Sequence, residues 1–182
     1  MASERMRIDV GDALPLAPRR TRAGSWVGLV LLALLVGGFL WLRGSPAFVA
    51  WEVAHDHARC FGRAHLRARL WSSDPTDVRQ WLESRGTPVQ PLPGKAGGVA
   101  IVGVRYCPLS DRVAAHVFYG GGQSLVSVFV LSGPARIRDS WSGVVGQFQV
   151  RLLRSAGRTV AIVGAIEEDV DAVARSFRIS EA

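Results

Sequence analysis

The sequence predicts an α+β protein: a single N-terminal transmembrane helix, then a small domain of about five antiparallel strands with two helices before them and one after. Three observations carry this expectation. An uncharged apolar run of transmembrane length lies near the N-terminus, the residues behind it repeat at three- and four-residue steps, and from Val99 onward the period falls to two. With 182 residues the chain has room for one domain and a small appendage. Its 48% hydrophobic and 20% charged content is that of a globular chain.

Residues 1–24 hold Pro15, Pro18 and few large apolar groups, so they are expected to be a disordered tail. Trp26 to Leu42 reads WVGLVLLALLVGGFLWL, which as a helix spans about 25 Å, close to the hydrocarbon thickness of a bilayer. The expected transmembrane helix is therefore residues 25–43, with Trp26 and Trp41 at the headgroup level and Arg43 beyond. A cleaved signal peptide is the competing reading, but the apolar run is long for one and Ser45-Pro46-Ala47 is a poor cleavage signal. Arg5, Arg7, Arg19, Arg20 and Arg22 all precede the run. Basic flanks stay in the cytoplasm, which places the chain in the inner (plasma) membrane as a single-pass protein with residues 46–182 periplasmic. The net charge is +7, and the tail holds only five of the 22 basic groups and three of the 15 acidic ones. Most of the excess is spread thinly across the membrane from any DNA, so direct nucleic-acid binding is not expected and the membrane surface is the expected partner of the charge.

Behind the membrane run, Gly44-Ser45-Pro46 stops one helix and starts another. Phe48, Trp51, Ala54, Ala58 and Phe61 mark an apolar stripe, and the helix is expected over about 46–70. Asp74 as N-cap, Pro75 at the first helical position and Gly86 as terminator predict a second helix over 75–85. A Pro/Gly loop follows. Strands are expected over about 99–106, 113–119, 124–131, 147–154 and 158–164. Gly120-Gly121-Gly122 and Ala156-Gly157 are hairpin turns in type, and the longer connection from Gly133 to Gly146 has length to cross the sheet or cover an edge. Three acids, Glu167, Glu168 and Asp169, open a last helix over 167–178. The helices are expected on one face of the sheet.

No enzyme motif is present. GxSxG, phosphate-loop and HExxH patterns are missing, and GVAIVGV lacks the spacing of a dinucleotide fingerprint, so neither catalysis nor a cofactor is expected. The chemistry concentrates in AHDHARCF, residues 54–61. Cys60 and Cys107 are the only cysteines. On the oxidising side of a membrane they can pair with each other or with another chain, and an intramolecular disulfide is the favoured expectation, stabilising the fold by roughly 4 kcal/mol on the chain-entropy argument. The alternatives are a metal- or haem-binding redox protein of the envelope using His57, Cys60 and Cys107, and a structural subunit of an envelope complex. Helical spacing brings His57, Cys60 and His65 near one stripe, with His55 and Asp56 pointing elsewhere, and a fourth ligand could come only from Cys107 or His116 in the sheet. Asp56, His57 and His116 are candidate functional polar groups, His57 as a neighbour of the bridge and His116 as a strand residue with a satisfied ring. A reactive thiol beside Arg59 and Arg63 is the third reading.

DHARCF at 56–61, the Asp74 to Trp81 helix start, GVRYCPLSDRVAAHVFY at 103–119 and SVFVL at 127–131 resemble the exported domains of membrane-anchored anti-sigma factors, the predicted transmembrane transcriptional regulators. The likeness spans roughly residues 53–165. It implies a sensor-like periplasmic domain and a regulatory protein or sigma factor as partner. The cytoplasmic zinc-binding half of such proteins has no counterpart in residues 1–24, which contain neither His nor Cys.

Overall fold

The computed structural model describes residues 23–62, 68–87, 92–122, 124–135 and 137–179. The protein is α+β. Its elements run α1 (Ala23–Arg43), α2 (Pro46–Gly62), α3 (Pro75–Glu83), β1 (Lys95–Ala96), β2 (Val99–Pro108), β3 (Val113–Gly121), β4 (Ser124–Leu131), β5 (Trp141–Val145), β6 (Phe148–Ser155), β7 (Arg158–Gly164) and α4 (Glu167–Ile179). Most of the expected tail lies outside the described residues.

The chain divides into two compact units between Gly38 and Phe39. α1 is uncharged from Trp26 to Leu42, and its large side chains, among them Trp26, Leu29, Leu32, Leu35, Phe39 and Trp41, are exposed all round the helix. Among the described residues no single helix is long and apolar enough to cross a membrane.

The second unit is built on one antiparallel sheet in the order β1-β2-β3-β4-β7-β6-β5. Among the described residues seven strands stand where five were expected. β1 is two residues long and turns back into β2 through Gly97 (φ 59°), too short to leave a periodic signal. β5 lies in the connection assigned to crossing or edge cover, and that connection does both: it carries the chain from β4 to the far edge, where β5 pairs with β6. Gly143 and Ser142 dilute its strand pattern, but the Trp141 ring packs over Gly143 and restores the missing apolar cover.

The helices occupy both faces, not one. β3, β4 and β7 are buried almost end to end, and a strand buried on both faces needs cover on both. One apolar layer joins Val78 and Leu82 of α3 and Val170, Val173 and Phe177 of α4 to Val117, Val128 and Ile162. The opposite layer joins Val49, Val53 and Cys60 of α2 to Cys107, Phe118, Phe129 and Val163. Parity along the strands sorts these sets, since neighbouring residues face opposite sides.

α2 also ends earlier than its expected limit near residue 70. By Leu70 the chain is extended and bridges Val104, with Leu70 N donating to Val104 O (3.2 Å) and Val104 N donating to Leu70 O (2.9 Å). α3 starts as its sequence dictates, the Asp74 side chain accepting from Thr76 N at 2.7 Å with Pro75 in the first turn, and stops at Glu83.

Candidate metal centre

The site lies between α2 and the β2–β3–β4 region of the sheet. Asp56 and Cys60 are four residues apart on α2, so their side chains stack on one face. On the sheet, Cys107 pairs with Ala114 and Arg105 with His116, which sets Cys107 and His116 two residues apart on the same surface. Phe118 pairs with Ser127 across β3 and β4, bringing the serine to that surface too.

Four ligand atoms converge, one each from Asp56, Cys60, Cys107 and His116, all within 4.8 Å of one another and all on buried residues. Cys60 Sγ lies 3.4 Å from Asp56 Oδ2 and 4.0 Å from Cys107 Sγ. His116 Nδ1 lies 3.2 Å from Cys107 Sγ and 3.8 Å from Asp56 Oδ2. Both cysteines are thiols in this arrangement.

Around the four atoms stands a supporting layer. The His116 ring is held between Phe118 and Phe129, with centroids 4.0 and 4.1 Å away. Its Nε2 is 2.7 Å from Ser127 Oγ, which is also 2.7 Å from His57 Nδ1. A hydroxyl has one hydrogen to donate, so at least one of the two imidazoles donates to Ser127. His57 in turn sits edge-on between Phe61 and Phe148. Arg59 donates to Asp56 Oδ1 at 2.5 Å, leaving Oδ2 turned toward the sulfurs.

Burial sets the protonation states. His116 is held well below its ordinary pKa by desolvation first, then by His57 and Arg105, so its ring is neutral. Desolvation also lowers His57 to about 4, against the pull of Asp56. The Cys107 thiol is pushed upward, chiefly by its hydrogen bond with Cys60 and by burial. The cluster therefore carries neutral imidazoles and a sulfur at Cys107 that holds its proton tightly.

No family model, no curated protein and no solved structure matches this chain. The site therefore has to be read from its own geometry.

Of the residues singled out in the sequence, Cys60 and Cys107 stand as two free thiols with their sulfurs 4.0 Å apart rather than joined in the expected bridge. Asp56, expected on another face, instead joins Cys60 and the sulfur of Cys107, because residues four apart on a helix share a face. His57 faces Ser127 and lies outside the converging four. His116 is a buried strand residue with a satisfied Nε2, and its Nδ1 is also turned into the cluster. His65 and Arg63 lie outside the described residues. His55 is exposed and stacks on Trp51. Ser127 escaped the sequence reading, since only the β3–β4 register reveals that it sits between two histidines.

Proposed function

We propose that the domain behind α1 binds a zinc-class divalent ion in a closed site formed by Asp56, Cys60, Cys107 and His116, and that this ion braces or switches the fold. One observation carries the reading: four buried ligand atoms lie within 4.8 Å of one another, and the four neighbouring separations around them are close to the edges of a tetrahedral zinc site. Zinc bonds of about 2.3 Å to sulfur and about 2.0–2.2 Å to nitrogen and oxygen require edges of about 3.8 Å for S–S, about 3.5 Å for S–N and S–O, and about 3.4 Å for N–O. The corresponding separations are 4.0, 3.2, 3.4 and 3.8 Å. The ligand chemistry agrees, since two thiolates with one imidazole favour a tetrahedral soft or borderline ion over calcium or magnesium.

Charge supports it too. Two thiolates and a carboxylate around a divalent ion leave one negative charge, and Arg59 stands against Asp56 to offset it. Four protein ligands leave no open position for a substrate, so the role is structural or regulatory.

The stretches that resemble exported anti-sigma domains supply this same cluster: DHARCF gives Asp56, His57 and Cys60, the 103–119 stretch gives Cys107 and His116, and SVFVL gives Ser127. We therefore extend the proposal to a membrane-anchored regulator whose exported domain reports metal occupancy to a regulatory protein or sigma factor. An anchor would rest on the exposed apolar side chains of α1, although no described helix is by itself long and apolar enough to cross a membrane.

A second reading is the Cys60–Cys107 disulfide, which would need the two free thiols, 4.0 Å apart, to close to about 2.05 Å. A bridge and an ion exclude each other, because both use the same two sulfurs. Loading the full chain, purified in mild detergent from the membrane fraction, with cobalt(II) decides. The metal reading requires one ion per chain with the intense visible bands and thiolate charge-transfer absorption of a tetrahedral site, lost in Cys107→Ser. Metal-free protein without titratable thiols would establish the bridge, and recovery only from the soluble fraction would remove the anchor.

A further inference from the structure

Resting on the metal reading above, we propose that Glu52 is the port residue through which the divalent cation reaches and leaves the buried site. The four ligands are 0–5% exposed, so an ion needs a route. A cleft of about 160 Å³ supplies one, lined by Glu52, His55, Asp56, Arg59, Leu109 and Ser110. It reaches a ligand, Asp56, whereas the larger cavities beside α2, of about 300 and 430 Å³, are lined by none of the four.

Two groups in this cleft carry a buried polar atom without a partner, Arg59 at Nε and Glu52 at Oε2, and of the two only Glu52 can meet a cation. It is 7% exposed. Its Oε1 accepts from Ser110 N, which latches α2 to the turn between β2 and β3. Its Oε2 is shut off from solvent without a hydrogen-bond partner, an arrangement that costs free energy unless something cationic or protic arrives there. Glu52, Asp56 and Cys60 follow one another at four-residue intervals on α2, each step about 6 Å along the axis. Three oxygen and sulfur donors thus form a ladder from the cleft to the cluster. A cation meets the Glu52 carboxylate first, passes to Asp56 as Arg59 releases Oδ1, and ends among the sulfurs and His116. Glu52 therefore acts on the rate of exchange and not on the final coordination.

That distinction gives the test. The full chain in detergent is mixed rapidly with cobalt(II) and the rise of the tetrahedral absorption followed, then the loaded protein is challenged with EDTA. Glu52→Gln keeps the Ser110 bond through its amide oxygen but replaces the orphan oxygen with an amide that repels a cation. Loading and release should both slow by roughly tenfold, with equilibrium affinity within about threefold of wild type. Glu52→Asp, which keeps the charge and retracts it by one methylene, should fall between. Unchanged rates in both variants overturn the port, as does an affinity loss with normal loading, the signature of a latch alone. A wild-type chain that takes up no cobalt removes the metal reading itself, and the port falls with it.

Discussion

Ser127 is the smallest polar group in the site and the one most constrained by its partners. Its hydroxyl lies 2.7 Å from both His57 Nδ1 and His116 Nε2. When an ion occupies His116 Nδ1, Nε2 carries the proton and donates to Ser127, whose own hydrogen then goes to His57. Outer partners of this kind fix the tautomer and aim the ring, and their loss lowers metal affinity by about 10- to 100-fold. Ser127→Ala also strands two buried ring nitrogens, a cost of about 1–3 kcal/mol. The expected outcome is weaker zinc retention in a chelator competition together with a lower thermal midpoint of the metal-free protein; unchanged values in both would show that the hydroxyl orients nothing. Residue types made part of this visible in advance. Cys60, Cys107 and His57 stand out because the chain has only two cysteines and four histidines. Ser127 does not stand out, because a serine in a strand carries no signal until the register says what it faces.

At the scale of elements, local chemistry was legible wherever a few adjacent residues decide the outcome. Asp74 and Pro75 start α3 where the cap rules put it, and Ala156-Gly157 makes the β6–β7 turn with both residues at positive φ (47° and 72°). What stayed hidden is decided by distant packing. α2 was read to about residue 70, and nothing in the local sequence announces that Leu70 is instead paired with β2. The reason lies across the sheet, at Gly103, beside the register shift between Ile101 and Gly103. A Cβ on Gly103 would stand 2.7 Å from Ala68 Cβ and 2.7 Å from Leu70 O, so only glycine lets the 68–70 segment lie against the strand. Gly103→Ala must push that segment away and weaken the Leu70–Val104 bridge. A loss of about 1–3 kcal/mol, typical of overpacking, is expected in denaturant unfolding, with faster amide exchange at Leu70. Wild-type stability and exchange would mean that the segment is not held by this contact.

For the whole molecule, the sheet joins two apolar layers, and the cluster lies in the layer that α2 shares with β2, β3 and β4. An ion there ties α2 to the sheet through Asp56 and Cys60 on one side and Cys107 and His116 on the other. Because the unfolded chain does not preform four converging ligands, binding free energy becomes folding free energy. At a free ion concentration 1,000 times the dissociation constant the gain is about 4 kcal/mol, and for a domain of this size that is a shift of roughly 10–20 °C in thermal midpoint. A disulfide between the same sulfurs would give a gain of similar size, so the magnitude alone does not discriminate. The sign of the response to reagents does. If the ion holds the domain, EDTA lowers the midpoint of the full chain by that amount, and a phosphine reductant that does not bind metal leaves it unchanged or raises it by keeping both thiols available. If the bridge holds it, the phosphine lowers the midpoint and EDTA does nothing. Calorimetry with the two reagents separately and together therefore assigns the tie between α2 and the sheet, and a midpoint indifferent to both would leave that tie to the apolar layer alone.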